Sequence, residues 1–132
     1  MASIRKEIPV GTDPAGAWDA VRDFANVHER VAAGFVTATR LEGDERIVTF
    51  TTGAEARERL VDVDDDRRRL VYTVVESPLG LSHHQASVEV LDASDGGSRL
   101  VWISDVLPDQ VAPIIDGMMT EGAAAIARTL AT

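Results

Sequence analysis

The chain has 132 residues, 45% apolar and 27% charged, with 22 acidic against 13 basic side chains and a net charge of −9. This length suits one core and one domain over residues 1–132, and the acidic balance argues against nucleic acid or an anionic membrane as a nonspecific partner. Cysteine is absent, so there is no disulfide framework, thiol nucleophile or thiolate metal site, and with no signal-peptide core or membrane-length apolar stretch the expected location is the cytoplasm, without membrane insertion.

The opening "SIRKEIPV" alternates, with Ile4, Ile8 and Val10 on one parity and charges between them, which predicts a first strand. The period then changes. Asp13 can cap a helix that has Pro14 in its first turn, and Ala17, Val21 and Phe24, with Trp18 beside them, recur at helical spacing. A second short helical turn is expected from Asn26 to Arg30. Six strands follow as three hairpins. "GFVTATRLEG" and "DERIVTFTT" join at Gly43–Asp44. "ARERLVDVD" and "RRLVYTVVES" join through the charged "DDDRR", and "HHQASVEVLD" and "SRLVWISDV" join through "ASDGG". After Pro108 the remainder forms one long helix to about Leu130, with Val111, Ile115, Met118, Gly122, Ile126 and Leu130 every three or four residues. Pro113 must sit in its first turn. The architecture is therefore α+β, one antiparallel sheet whose apolar face is covered by the last helix.

The order strand, two short helices, six strands, long helix is similar to that of the helix-grip superfamily, which includes START domains, birch-pollen-allergen-like proteins and the polyketide cyclase/dehydrase (SRPBCC) branch. The phrases that carry the resemblance are "PAGAWDAVRDFAN", "ERLVDVDDDRRRLVYTVVE" and "GGSRLVWISDVLPD", which span nearly the whole chain. The resemblance implies a curved seven-stranded antiparallel sheet wrapped around the C-terminal helix, with a cavity between them for a small hydrophobic or aromatic molecule. It names no ligand.

Strand alternation then decides which side chains face such a cavity. Val88 and Val90 want the core, and their parity takes Ala86 and His84 inward while His83, Gln85 and Ser87 point out. Adjacent strand residues face opposite ways, so His83 and His84 cannot chelate one ion together. On the next-to-middle strands both parities are apolar. The reading places Leu70, Tyr72, Val74 and Glu76 inward, with Leu100, Trp102, Ser104 and Val106. Glu58 goes inward with Ala56 and Leu60, and the first hairpin contributes Val36, Ala38, Val48 and Phe50. The expected lining is Phe50, Glu58, Tyr72, Glu76, His84 and Trp102. Phe24 and His28 close one end, and Met118, Met119 and Gly122 form the lid.

Each of these has a purely structural alternative. Glu58, Tyr72, Glu76 and His84 together would make an acid–base set in an apolar pocket. Equally, Glu58 and Glu76 would pair with Arg57, Arg59 or Arg69 at strand ends, because buried charges are paired, and His84 would be a hydrogen-bonded core or rim residue. Tyr72 and Trp102 would stack on an aromatic ligand or simply fill the core. Met118 and Met119 would form an adaptable ceiling or an ordinary apolar stripe. The run "DDDRRR" reads as a solvated turn. A metal shared by His28, His84 and Glu58 has no short-spaced motif behind it, and no phosphate loop or nucleophile elbow is present.

The reading that follows is a ligand-binding helix-grip domain, monomer or homodimer, needing no cofactor. If it is an enzyme, it resembles a cofactor-free polyketide cyclase or dehydratase, with His84 or Glu58 moving protons and Tyr72 and Trp102 holding the substrate in one conformer. The alternatives are a carrier or sensor without turnover, and a protein-interaction module using an exposed sheet face.

Overall fold

The computed structural model describes residues 1–132. Strand β1 (Ala2–Val10) alternates along its length and fully buries Ile8 and Val10. Helix α1 (Pro14–Arg22) begins at Asp13, which is extended and whose carboxylate accepts from the Gly16 N–H at 3.2 Å. That satisfies one of the donors left open in the first helical turn. A 3₁₀ turn (Phe24–Asn26) leads into α2 (Val27–Arg30). The hairpin strands are β2 (Val36–Glu42), β3 (Glu45–Phe50), β4 (Glu55–Asp64), β5 (Arg69–Glu76), β6 (His83–Asp92) and β7 (Ser98–Leu107). A second 3₁₀ turn (Asp109–Val111) precedes α3 (Ala112–Thr129).

The sheet order is β1-β7-β6-β5-β4-β3-β2, and every neighbouring pair is antiparallel. The first strand thus returns to pair with the last, while the hairpins run outward in sequence. This is the seven-stranded helix-grip arrangement. The long helix lays Ile115, Met119, Gly122, Ala125 and Ile126 toward the sheet, at the spacing that puts them on one face. Leu100 and Val106 are fully buried beneath it. Each such side chain removed from water contributes about 1.5–3 kcal/mol.

Helix α3 is tied to β1 near both of its ends. Lys6 pairs with Asp116 near the helix start. At the other end the Gly11 and Thr12 N–H groups and the Thr12 hydroxyl all donate to the Leu130 carbonyl, at 3.0, 3.0 and 2.9 Å. These bonds supply partners to a carbonyl that the helix itself leaves open. The approach is close enough to require glycine: a Cβ on Gly11 would stand 1.8 Å from the Ala131 carbonyl oxygen.

Three register shifts, one in the β2–β3 pair and two in the β4–β5 pair, change which residues face inward. In β2 a bulge between Val36 and Ala38 sets Ala38 opposite Thr49 and Thr39 opposite Val48. Ala38 is therefore exposed, contrary to expectation, because the extra residue reverses the alternation beyond it. In β4 a shift between Leu60 and Asp62 lets Leu60 and Val63 both pack on the core and leaves Val61 exposed. The mixed parity of "ERLVDV" has this bulge as its cause.

Candidate ligand cavity

A cavity of about 360 Å³ lies between the inner face of the sheet and α3, within the range of small-molecule sites. Of its 32 lining residues, 21 are hydrophobic, so any ligand it holds must be largely apolar. The helix side supplies Ile115, Met118, Met119 and Ile126, and the sheet supplies Val48, Phe50, Ala56, Leu70 and Val88. Exposed residues on the lining mark the mouth. They are Thr51 and Thr52 in the β3–β4 turn, Glu55 at the start of β4, Pro78 in the β5–β6 loop, and Glu121 on α3. Of the side chains the sequence placed at this cavity, Phe50, Glu58, Tyr72, His84, Trp102, Met118, Met119 and Gly122 do line it.

The charge in the wall is an ion pair. Arg46 Nε donates to Glu58 Oε1 at 2.7 Å, and the two side chains are only 8% and 9% exposed. Arg46 Nη1 also donates to the Phe24 carbonyl at 3.0 Å, and its guanidinium lies 3.9 Å from the Phe24 ring centroid. The register places Arg46 opposite Glu58 across β3 and β4. Both charges thus come to the same face and neutralise each other where water is scarce, the condition under which a buried charge is tolerated.

Tyr72, on β5, accepts a hydrogen bond from Trp102 Nε1 on β7 at 3.1 Å. Full burial, with the Glu58 charge adding to it, drives the Tyr72 hydroxyl far above the ordinary phenol range. It is a neutral O–H at any physiological pH. The Tyr72 and His84 ring centroids are 5.9 Å apart.

His84 Nδ1 accepts the Val74 N–H at 3.0 Å. A ring nitrogen that accepts is unprotonated, so in the neutral ring the proton sits on Nε2. Burial, helped by neighbouring His83 and opposed by Asp105, lowers its pKa to about 4. At neutral pH His84 is therefore an uncharged donor with its one lone pair already used. Gln85 and His83 are exposed, as alternation requires, while outward-facing Ser87 is buried within the sheet's outer surface.

Gly122 brings the helix down onto the aromatic floor. A Cβ there would lie 3.0 Å from Trp102 Cη2 and Cζ3 and 3.3 Å from Phe35 Cε2. The small residue thus gives a close contact at this point, and the open volume lies to either side of it.

Three expected wall residues lie elsewhere. Phe24 is not on the cavity surface, because its ring is covered by the Arg46 guanidinium. His28 is half-buried on α2, its Nδ1 without a partner and its Nε2 3.5 Å from Glu29. The helix turns it away from the cavity. Glu76 sits at the end of β5, where its side chain is 79% exposed and 3.8 Å from Arg57. A register shift at Val75, between the pairs Arg57–Glu76 and Glu58–Val74, breaks the alternation just before it. His28, His84 and Glu58 do not converge, and no group of three or more His, Asp or Glu side chains is arranged to hold a metal ion.

The residue the sequence reading missed is Arg46. Its signal was present, since the alternation that turns Val48 and Phe50 inward also turns Arg46 inward.

A family model described as polyketide cyclase / dehydrase and lipid transport matches residues 1–131. No curated protein matches the sequence. Among solved structures, a Thermobifida fusca protein is 29% identical, with 99% of this chain and 91% of that one covered and a TM-score of 0.79. XoxI from Bacillus cereus is 17% identical, with 98% and 96% covered and a TM-score of 0.87. Norcoclaurine synthase from Thalictrum flavum, in complex with dopamine and hydroxybenzaldehyde, is 18% identical, with 96% and 84% covered and a TM-score of 0.69. At these last two identities the likeness is one of fold. No helix is long and apolar enough to cross a membrane.

Proposed function

The chain belongs to the polyketide cyclase/dehydrase and lipid transport family, and from that premise we propose that it binds a small apolar or aromatic molecule between the sheet and α3. The observation that carries this reading is the open volume of about 360 Å³ with its largely hydrophobic lining. Cores pack to near-crystal density, so unfilled space on this scale is a structural expense that a bound molecule offsets. The fold accommodates such ligands elsewhere, since norcoclaurine synthase was captured with two small aromatic compounds.

Native mass spectrometry of freshly purified protein tests the reading. The expected result is a co-purifying small molecule, or uptake of an added apolar fluorophore that Val74→Phe, which fills part of the cavity, weakens. Absence of both would remove the proposal.

A second reading is cofactor-free catalysis of a cyclisation or dehydration in the same cavity, favoured by Glu58 and His84 both opening onto it. In that reading the Glu58 oxygen not engaged by Arg46 takes a proton from the carbon beside a ligand carbonyl. His84 Nε2–H stabilises the resulting enolate oxygen, and a positioned pair of this kind contributes roughly 10²–10⁴ in rate. Turnover lost in Glu58→Gln and His84→Ala, with affinity changed by only a few fold, supports catalysis. Turnover that survives both variants refutes it, and a protein that binds without any turnover is a carrier or sensor.

A further inference from the structure

We propose that the cavity selects a ligand whose buried end is uncharged and bears a hydrogen-bond acceptor, such as a ketone, aldehyde or quinone oxygen, over carboxylates and amines of the same shape. This deepens the binding reading above and rests on it.

The wall has one basic side chain of fixed charge, and that charge is committed. Arg46 is bound by the Glu58 carboxylate at 2.7 Å and by the Phe24 carbonyl at 3.0 Å, with its guanidinium stacked on the Phe24 ring. A ligand carboxylate would meet a pair with no net charge, one member of which repels it. The remaining lining charges are Glu55 and Glu121, both exposed. Glu55 is paired with Arg40, and Glu121 opposes an anion on the way in. An ammonium group fares no better inside. Glu58 is already neutralised by Arg46, and Glu55 by Arg40 at 3.1 Å. Only exposed Glu121 is left for it, and exposed pairs contribute about 0–1 kcal/mol.

What the wall offers instead is uncharged donors. The Tyr72 hydroxyl accepts from Trp102, which fixes its oxygen, and its own proton has no acceptor among the protein groups. His84 Nδ1 is occupied by the Val74 N–H, so the donor the ring has left to offer is Nε2–H. The two rings are 5.9 Å apart between centroids, so both uncharged donors belong to one patch of the cavity wall. Donors that remain neutral at pH 7 favour a neutral acceptor, and a site built around such groups rejects a ligand whose charge it cannot balance.

The test uses one skeleton with four ends: naphthalene, 2-acetylnaphthalene, 2-naphthoate and 2-naphthylmethylammonium, titrated by calorimetry at pH 7.5. The ketone is expected to bind about tenfold tighter than either ion. Tyr72→Phe and His84→Ala should each lower the affinity for the ketone relative to naphthalene by about fivefold, one hydrogen bond's worth. Glu58→Gln frees the Arg46 charge and should bring the carboxylate up by about tenfold relative to the ketone. Should Glu58→Gln fail to fold, Tyr72→Phe carries the test alone. A carboxylate or amine that binds the wild type as tightly as the ketone overturns the inference, as does a Tyr72→Phe protein with unchanged ketone affinity relative to naphthalene. Naphthalene bound with no preference among the ends sinks the selectivity and leaves apolar binding standing. No binding of any probe, naphthalene included, sinks both.

Discussion

Replacing Arg46 by Met keeps much of the side chain's length and removes its charge. The structure sets what is lost. The 2.7 Å bond to Glu58 goes, as do the 3.0 Å bond to the Phe24 carbonyl and the stack on the Phe24 ring. Glu58 is left as a carboxylate 9% exposed and without a partner. Breaking a buried pair from one side costs about 3–5 kcal/mol, because the surviving charge is stranded away from water. Glu58→Leu strands the guanidinium instead and should cost a similar amount. The double variant strands neither charge and leaves only the Phe24 carbonyl unpaired, a cost of about 1–3 kcal/mol. Domains of this kind have about 5–15 kcal/mol in hand, so the single variants remain folded at 25 °C when the total is not at the low end. Urea unfolding followed by Trp18 and Trp102 fluorescence gives each free energy, with constant slope as the check on two-state behaviour. The double-mutant cycle then isolates the coupling. An Arg46→Met cost under about 1 kcal/mol, or a double variant as unstable as the two singles summed, would show that this pair is not isolated from solvent.

His84 gives a pH dependence of definite sign. Its folded-state pKa of about 4 lies below the ordinary 6.5, so below pH 6.5 the unfolded chain takes up a proton the native ring refuses. Stability should fall between about pH 6.5 and 4, by roughly 3 kcal/mol in total. His84→Gln should flatten that part of the profile, measured as urea midpoints across the range, and parallel profiles would refute the assignment. Gly122→Ala places a methyl 3.0 Å from the Trp102 ring. It should cost about 1–3 kcal/mol of overpacking, partly offset by helix propensity, and shift Trp102 emission. An unshifted spectrum would mean that the helix moves and the indole does not. Asp13→Ala removes the α1 cap and should cost about 1 kcal/mol with no change in the affinity of an apolar probe, because the cap is remote from the cavity.

The elements were legible because each has a local cause that the sequence displays. Asp13 and Pro14 start α1, Gly43–Asp44 turns the first hairpin, and the spacing from Val111 to Leu130 fixes α3. Alternation held over short stretches between bulges, so Glu58, Tyr72, His84 and Trp102 were placed at the cavity from four different strands. It failed at Ala38 and at Glu76, each just beyond a bulge that interrupts the pleat. Neither bulge has a residue-level signature, because a bulge shows only against a partner strand. Phe24 and His28 failed for a related reason, since a single helical turn has too few residues to declare which face is buried.

Arg46 is a different case, because alternation pointed it inward and its charge argued against that. The conflict resolves only when a second charge is brought to it, and Glu58 lies 12 residues further on, across the β3–β4 hairpin. Each residue alone looks like an error in an apolar face, whereas together they form one neutral unit. Two opposite charges on inward parities of paired strands are thus a joint signal that neither strand carries alone. The same logic bears on the ligand. An apolar cavity that carried Arg46 without Glu58 would be a carboxylate site, and one that carried Glu58 without Arg46 would be an amine site. With both present at 2.7 Å, the charges answer each other, and on the proposal above recognition would fall to the neutral donors on Tyr72 and His84.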